Sequence, residues 1–305
     1  MPHAPSYIQL FESGELRHRA GRAREMIRCC TLCPHECRVD RTAGGRGKCR
    51  SGAMPVVSSF HAHMGEESCL VGRNGSGTIF FTNCNLACIF CQNYDISQLG
   101  YGEEVSFERL AEMMLSLRKR GCHNINFVTP SHMVYAILES LLVAVPAGLD
   151  VPLVYNSGGY DSVETLELLD GVFDIYMPDF KYMDGDAAWR LSGARDYPER
   201  AKAALKEMHR QAGDLVLDGR GIAQKGLLVR HLVLPNNLAG SDEVMRFLAW
   251  LSRDTYVNIM DQYRPEYRAR ECFDLRRKAT LDEYDAAVQC ALDAGLHRID
   301  DRRRR

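Results

Sequence analysis

The run Gly77-Thr-Ile-Phe-Phe-Thr-Asn-Cys-Asn-Leu-Ala-Cys-Ile-Phe-Cys-Gln-Asn93 sets Cys84, Cys88 and Cys91 in a CxxxCxxC spacing directly behind a short apolar segment. A β-branched and aromatic run of this length, closed by Asn, reads as a buried strand, so the cysteines fall on the loop at its C-terminal end. Three thiolates can hold three irons of a [4Fe-4S] cube, and the fourth iron is then open to bind and activate a substrate. The alternative is a zinc knuckle or a structural iron-sulfur site, but closed zinc sites normally carry a fourth ligand that this set lacks.

Outward from that run, apolar segments alternate with amphipathic ones. Strands are predicted at residues 79–82, 125–128, 153–155, 173–177, 227–234 and 257–260, each followed by polar, Gly or Pro residues. Ser106 is placed to cap a helix with Phe107, Leu110, Met114 and Leu117 on its apolar face, ending at Gly121. Asp161 with Glu164, and Thr280 with Glu283, have capping-box spacing, with Gly171 and Gly295 beyond the helix ends. Six βα units are too few for a closed eight-unit barrel. The α/β fold expected is an open, partial (β/α)6 barrel of TIM type, with its mouth and its site at the strand C-termini. Residues 1–75 depart from the repeat and read as a small Cys-rich metal-binding module, 76–300 as the barrel and 301–305 as a solvated basic tail.

Composition narrows the function classes. The 305 residues, 46% hydrophobic and 26% charged, suffice for one large core. A net charge of −2 gives no general attraction to nucleic acid. The longest apolar stretch, residues 136–149, is interrupted by Glu139, Ser140 and Pro146, so no membrane span is expected. The opening residues lack the basic and apolar regions of a secretory signal, so a cytoplasmic location is expected. In a reducing compartment the twelve cysteines are read for metal binding or reactivity before disulfides.

With Phe90 before the last cysteine, the motif resembles the radical S-adenosylmethionine (SAM) signature. The wider run from Gly75 to Asn93 is similar to the branch that contains pyruvate formate-lyase activating enzyme. The resemblance implies that Cys84, Cys88 and Cys91 hold a [4Fe-4S] cluster whose open iron takes the amino and carboxylate groups of SAM. One electron then cleaves SAM to methionine and a 5′-deoxyadenosyl radical, which removes a hydrogen atom from a substrate at the barrel mouth. It also implies a low-potential donor, flavodoxin or ferredoxin, and as substrate a glycyl-radical enzyme. Another protein, a peptide or a small molecule would use the same apparatus. A non-catalytic electron carrier is the competing reading, and it gives no reason for a polar barrel mouth.

SAM contacts are expected from Phe90 and Asn93 in the motif itself and from the later strand ends. The second strand leads to Thr129, Ser131 and His132, with Ser131 opening a helix; the third ends at Asn156 and Ser157, where Gly158 and Gly159 allow close backbone approach. Asp179 and Lys181 share one face of the fourth, as a cofactor site or a structural ion pair. Arg230 and His231 point to opposite faces of the fifth, so at most one lines the cavity, and the resemblance to activating enzymes favours Arg230. Gln262, Tyr263 and Arg264 follow the sixth, where a substrate could be met. His63, Glu66 and Glu67 read as a connector or as substrate-facing groups. A second group, Cys30, Cys33, Cys37 and Cys49, has the spacing of a closed zinc site or a second iron-sulfur cluster, with Cys29 a competing ligand.

Overall fold

The computed structural model describes residues 5–300, and its nine strands form one sheet. They are β1 (Val56–His63), β2 (Ser76–Phe81), β3 (Glu103–Glu104), β4 (Ile125–Val128), β5 (Leu153–Asn156), β6 (Ile175–Tyr176), β7 (Val216–Leu217), β8 (Ala223–Leu232) and β9 (Tyr256–Met260). β2, β4, β5, β6, β8 and β9 run parallel in that order and coincide with the six predicted runs. No strand pairing joins β9 back to β1 or β2, so the barrel is partial and open.

Both edges carry additions that the repeat did not announce. β1 pairs antiparallel with β2, from Val57 opposite Phe81 to His63 opposite Ser76, and β3 pairs in turn with β1. The expected boundary at residue 75 is therefore not a break in the sheet, which begins at Val56. The alternation of β1 is weak because its residues are mostly half-buried or exposed, which removed the signal. β8 is forked: β7 pairs antiparallel with its first half, and β9 pairs parallel with Leu228–Leu232. Residues 301–305, the expected basic tail, lie outside the described residues.

Side chains alternate across each strand and divide the interior in two. Ile79, Phe81, Ile125, Phe127, Leu153, Tyr155, Tyr176, Val229 and Val257 face the helices and join the main core. Val154, Ile175, Met177 and Leu228 face the lumen and form a separate apolar cluster with Cys69 and Leu70. Those two belong to the short helix Ser68–Val71, whose Leu70 carbonyl accepts from Asn124 just ahead of β4; this helix plugs the barrel floor.

The helix caps are mostly as expected. Ser106 Oγ accepts from Arg109 N–H at the start of helix Phe107–Lys119, and the Thr280–Glu283 box is complete. Two expectations need correction. Helix Val163–Leu168 starts after Ser162 without a side-chain cap, and Asp161 turns inward, where three buried hydroxyls offer it better partners than an exposed helix end. Ser131 does not open its helix, which begins at Val134. No helix among the described residues is long and apolar enough to cross a membrane.

Candidate cofactor site

A cavity of about 240 Å³ opens at the C-terminal ends of the parallel strands. The loop after β2 supplies Cys84, Cys88, Phe90, Cys91 and Asn93 to its wall. Asn83, at φ +64°, turns the chain out of β2, a conformation asparagine tolerates. Each sulfur meets a polar partner: Leu86 N–H donates to Cys84 Sγ (3.3 Å), while Cys88 Sγ lies 2.9 Å from Ser192 Oγ and Cys91 Sγ 3.1 Å from Ser97 Oγ. Burial, then the nearby Cys88 sulfur, pushes the Cys84 thiol up, with Cys91 adding to the rise; Leu86 N–H and Lys181 oppose it. The three thiols therefore share one electrostatic environment.

Opposite the cysteines, the strand ends contribute Thr129, Asn156, Ser157, Asp179, Lys181 and Arg230, with Gln262 at the rim. Asp179 anchors both cations: Lys181 Nζ donates to Oδ2 at 2.6 Å and Arg230 Nε to Oδ1 at 2.9 Å. Arg230 also donates to Asn156 Oδ1 (2.7 Å) and has Glu66 Oε2 at 3.8 Å. Burial works against charge on Asp179, but Arg230 and Lys181 outweigh it and hold its carboxyl below the usual range. Lys181 is held above its ordinary value because Asp179 and Cys88 overcome the burial penalty. The site thus keeps two cations beside the cysteines. Thr129 sits at φ +62°, strained for a β-branched residue, and such strain concentrates at functional sites.

The other candidates lie behind or beside the cavity. His132 is buried, with its Nε2 2.9 Å from the Thr82 carbonyl and its Nδ1 unpartnered; burial lowers its pKa to about 4. Ser131 donates to Asp161 Oδ1, Tyr155 OH to the same oxygen at 2.9 Å and Ser157 Oγ to Oδ2 at 2.6 Å. Asp161, read from the sequence as a helix cap, is the knot that ties the loop after β4 to the end of β5. The signal that could have found it is the hydroxyl set Ser131, Tyr155 and Ser157 on neighbouring strand ends. His231 faces the outer core between the Phe180 carbonyl (2.7 Å) and Ser241 Oγ (2.8 Å), as the alternation with Arg230 required. Tyr263 is buried with its hydroxyl on the Leu275 carbonyl, and Arg264 pairs with Glu266. His63 stacks edge-on with His61 and Phe80, away from the cavity.

Beneath the cavity the lumen also holds polar side chains beside its apolar cluster. Val128 and Met260 line the cavity; two residues earlier on the same strands stand Asn126 and Asn258. Asn258 donates to Glu67 Oε1 at 2.7 Å, while Glu67 Oε2 and both polar atoms of the Asn126 amide are buried without a partner.

In the second cysteine group Cys30, Cys33 and Cys49 are buried and Cys37 is partly exposed. Cys29 is exposed. Among the described residues, no three His, Cys, Asp or Glu side chains converge closely enough to grip a single metal ion, in either cysteine group. A cubane spreads its cysteines one to an iron corner, so three thiols around one cavity suit a cluster better than a lone ion.

Residues 78–219 match the radical SAM superfamily. An uncharacterised protein of Methanocaldococcus jannaschii is 33% identical over 288 residues, which cover 92% of this chain and 79% of that protein. The chain belongs to the radical SAM superfamily. Membership implies a [4Fe-4S] cluster and reductive cleavage of SAM, and the donor set fits: three thiols on one cavity wall, that of Cys88 buried and those of Cys84 and Cys91 partly so, face charged and polar groups able to receive an amino acid.

Proposed function

We propose that Cys84, Cys88 and Cys91 hold the cluster and that Thr129, Asn156, Ser157, Asp179, Lys181 and Arg230 seat SAM beside it, with Phe90 and Asn93 completing the wall. The observation that carries this reading is the single cavity walled by all three cysteines and by the Asp179–Lys181–Arg230 set. When bound, the cluster and SAM supply the one-electron cleavage that generates a carbon radical. Lys181 and Arg230 give a carboxylate cationic partners that stay charged, and Asp179 fixes their positions and offers an acceptor to an ammonium. Asn156 and Ser157 present polar groups for ribose hydroxyls. Ser131 and His132 support that wall from behind without lining it.

For the hydrogen donor, the resemblance of residues 75–93 to activating enzymes supports a glycine of a partner glycyl-radical enzyme, with flavodoxin or ferredoxin as electron source. A small molecule or short peptide is the second reading, favoured by the roof over the cavity. Gln92 Nε2 donates to the Gln262 carbonyl (2.9 Å), Arg268 N–H to the Ile89 carbonyl (2.9 Å), and Tyr94 stacks on Tyr267. Anaerobic reconstitution, then dithionite and SAM, should yield 5′-deoxyadenosine. A preparation with a full cluster that forms none sinks the enzyme reading. Adding a glycyl-radical enzyme and looking for a glycyl signal by electron paramagnetic resonance separates the two substrates.

A further inference from the structure

We propose that residues 264–278, with the end of helix Gly185–Ser192, form the docking face for an acidic, low-potential electron-carrier protein, which delivers its electron through the outer side of the cysteine loop. This rests on the proposed cluster at Cys84, Cys88 and Cys91 and adds where its electron enters. The loop has two sides. Cys88, Phe90 and Cys91 line the cavity, whereas the intervening Ile89 and the preceding Ala87 do not; Ala87 is exposed and Ile89 half-buried. One residue of chain therefore separates Cys88 from the surface. Two elements frame this outer side. Ala87 N–H donates to the Ser192 carbonyl (3.0 Å) and Ile89 N–H to the Leu191 carbonyl (2.9 Å), while the Ile89 carbonyl accepts from Arg268 N–H (2.9 Å). Ser192 Oγ also meets Cys88 Sγ at 2.9 Å. An ion pair between Arg190 and Asp274 (3.3 Å) ties the two elements to each other.

Residues 264–278 are basic in a chain whose net charge is −2: six exposed bases, Arg264, Arg268, Arg270, Arg276, Arg277 and Lys278, stand against three acids. Those acids are taken up locally, Glu266 by Arg264 (3.0 Å), Glu271 by Arg268 (2.7 Å) and Asp274 by Arg190. Arg277 pairs with Glu283. Arg270 and Lys278 make no side-chain hydrogen bond or ion pair among the described residues. Between them in sequence Phe273 is 80% exposed, with the Arg276 guanidinium 5.6 Å over its ring, and Trp189 is 56% exposed. Each of these two rings is next in sequence to a member of the Arg190–Asp274 pair. Large aromatics and arginines are the residue types that anchor protein interfaces, and both are left facing solvent here.

Charge selects the partner. Unpaired bases around an aromatic anchor attract a protein with carboxylates around its redox centre. Such attraction raises the encounter rate without a large, permanent interface, as a carrier that must leave after each electron requires. Neither Phe273 nor Trp189 lines the cavity, so a protein held on them sits beside the cysteine loop and not over the reacting centre. The reduced carrier loses one electron, the oxidised cluster gains it, and no proton or bond moves.

The test uses the reconstituted full chain with a purified acidic flavodoxin as probe, its affinity read by calorimetry and 5′-deoxyadenosine by chromatography. Arg270→Glu combined with Lys278→Glu should weaken flavodoxin binding at low salt at least about tenfold, and added salt should erase the difference because exposed charges are screened. Phe273→Ala should weaken it about tenfold at low and high salt alike. With dithionite both variants should form product at the wild-type rate; with limiting flavodoxin as donor both should be slowed. Unaltered flavodoxin affinity in both variants overturns the docking face. So does a loss of product that appears equally with dithionite, or weakened binding of a glycyl-radical enzyme while flavodoxin affinity stays intact. A wild-type chain that forms no product with dithionite fails the enzyme reading alone, because flavodoxin affinity still decides the face.

Discussion

Asp161 offers the most demanding test of the site's construction. Its carboxylate collects Ser131, Tyr155 and Ser157, all buried, and among the described residues these three hydroxyls share no other acceptor. In Asp161→Ala each loses its partner, and a buried polar group left unmatched costs about 1–3 kcal/mol, so a total of about 3–9 kcal/mol is expected. Asp161→Asn should cost no more than about 1 kcal/mol, because one amide oxygen can still accept from Ser131 and Tyr155 while Ser157 reverses to accept from the amide nitrogen. Burial raises the Asp161 pKa despite the three hydroxyls. The folded chain therefore holds this proton more tightly than the unfolded chain, and the wild type loses stability as pH rises from about 3.8 to the raised value. Asp161→Asn lacks that loss, so its stability relative to wild type should improve across the same window. Urea unfolding under nitrogen, followed by tryptophan fluorescence at several pH values, measures both effects. Calorimetric titration with SAM should show weaker binding in Asp161→Ala, through the displaced Ser157. An Asp161→Asn protein as unstable as Asp161→Ala would refute the reasoning, since it would mean that the charge itself, and not the shared acceptor, holds the loops.

Replacing Cys84, Cys88 or Cys91 singly by Ala should abolish 5′-deoxyadenosine formation, read by chromatography after dithionite reduction; residual turnover in all three counts against the cluster assignment. Arg230→Met should weaken SAM binding about 10- to 100-fold, the loss of one charged hydrogen-bonding partner, and calorimetry that finds affinity unchanged removes Arg230 from the site. Thr129→Gly should gain about 1 kcal/mol by relieving the positive φ, net of glycine's entropy, whereas Thr129→Val should gain nothing; thermal unfolding decides. His231 is neutral when folded because burial depresses its pKa from 6.5 to about 4, while the unfolded imidazole protonates freely. The stability it contributes above pH 6.5 is thus lost as pH falls toward 4, about 2 kcal/mol by pH 5, and His231→Gln should flatten that part of the acid denaturation curve.

What could be read from the chain follows from which groups repeat. The six parallel strands are apolar on both faces along much of their length and are bounded by Gly, Pro or polar residues, so 125–128 or 153–155 could be placed from composition alone. Strand alternation likewise separated Arg230 from His231. β1 escaped because its alternation is blurred, and β3 and β7 because two residues carry no period. Asp161 was misread because a capping box is a local pattern, while its three partners come from two strand ends brought together only by folding.

One last consequence concerns the two consecutive glutamates that follow β1. Glu66 reaches Arg230 on β8 and Glu67 reaches Asn258 on β9, so the unclosed side of the barrel is laced to the opposite edge by side chains instead of by a backbone ladder. Such lacing yields to a change of charge or to a competing ligand far more readily than a ladder does. Two neighbouring side chains therefore bridge the gap that the sheet leaves open, and severing both would leave every strand pairing in place.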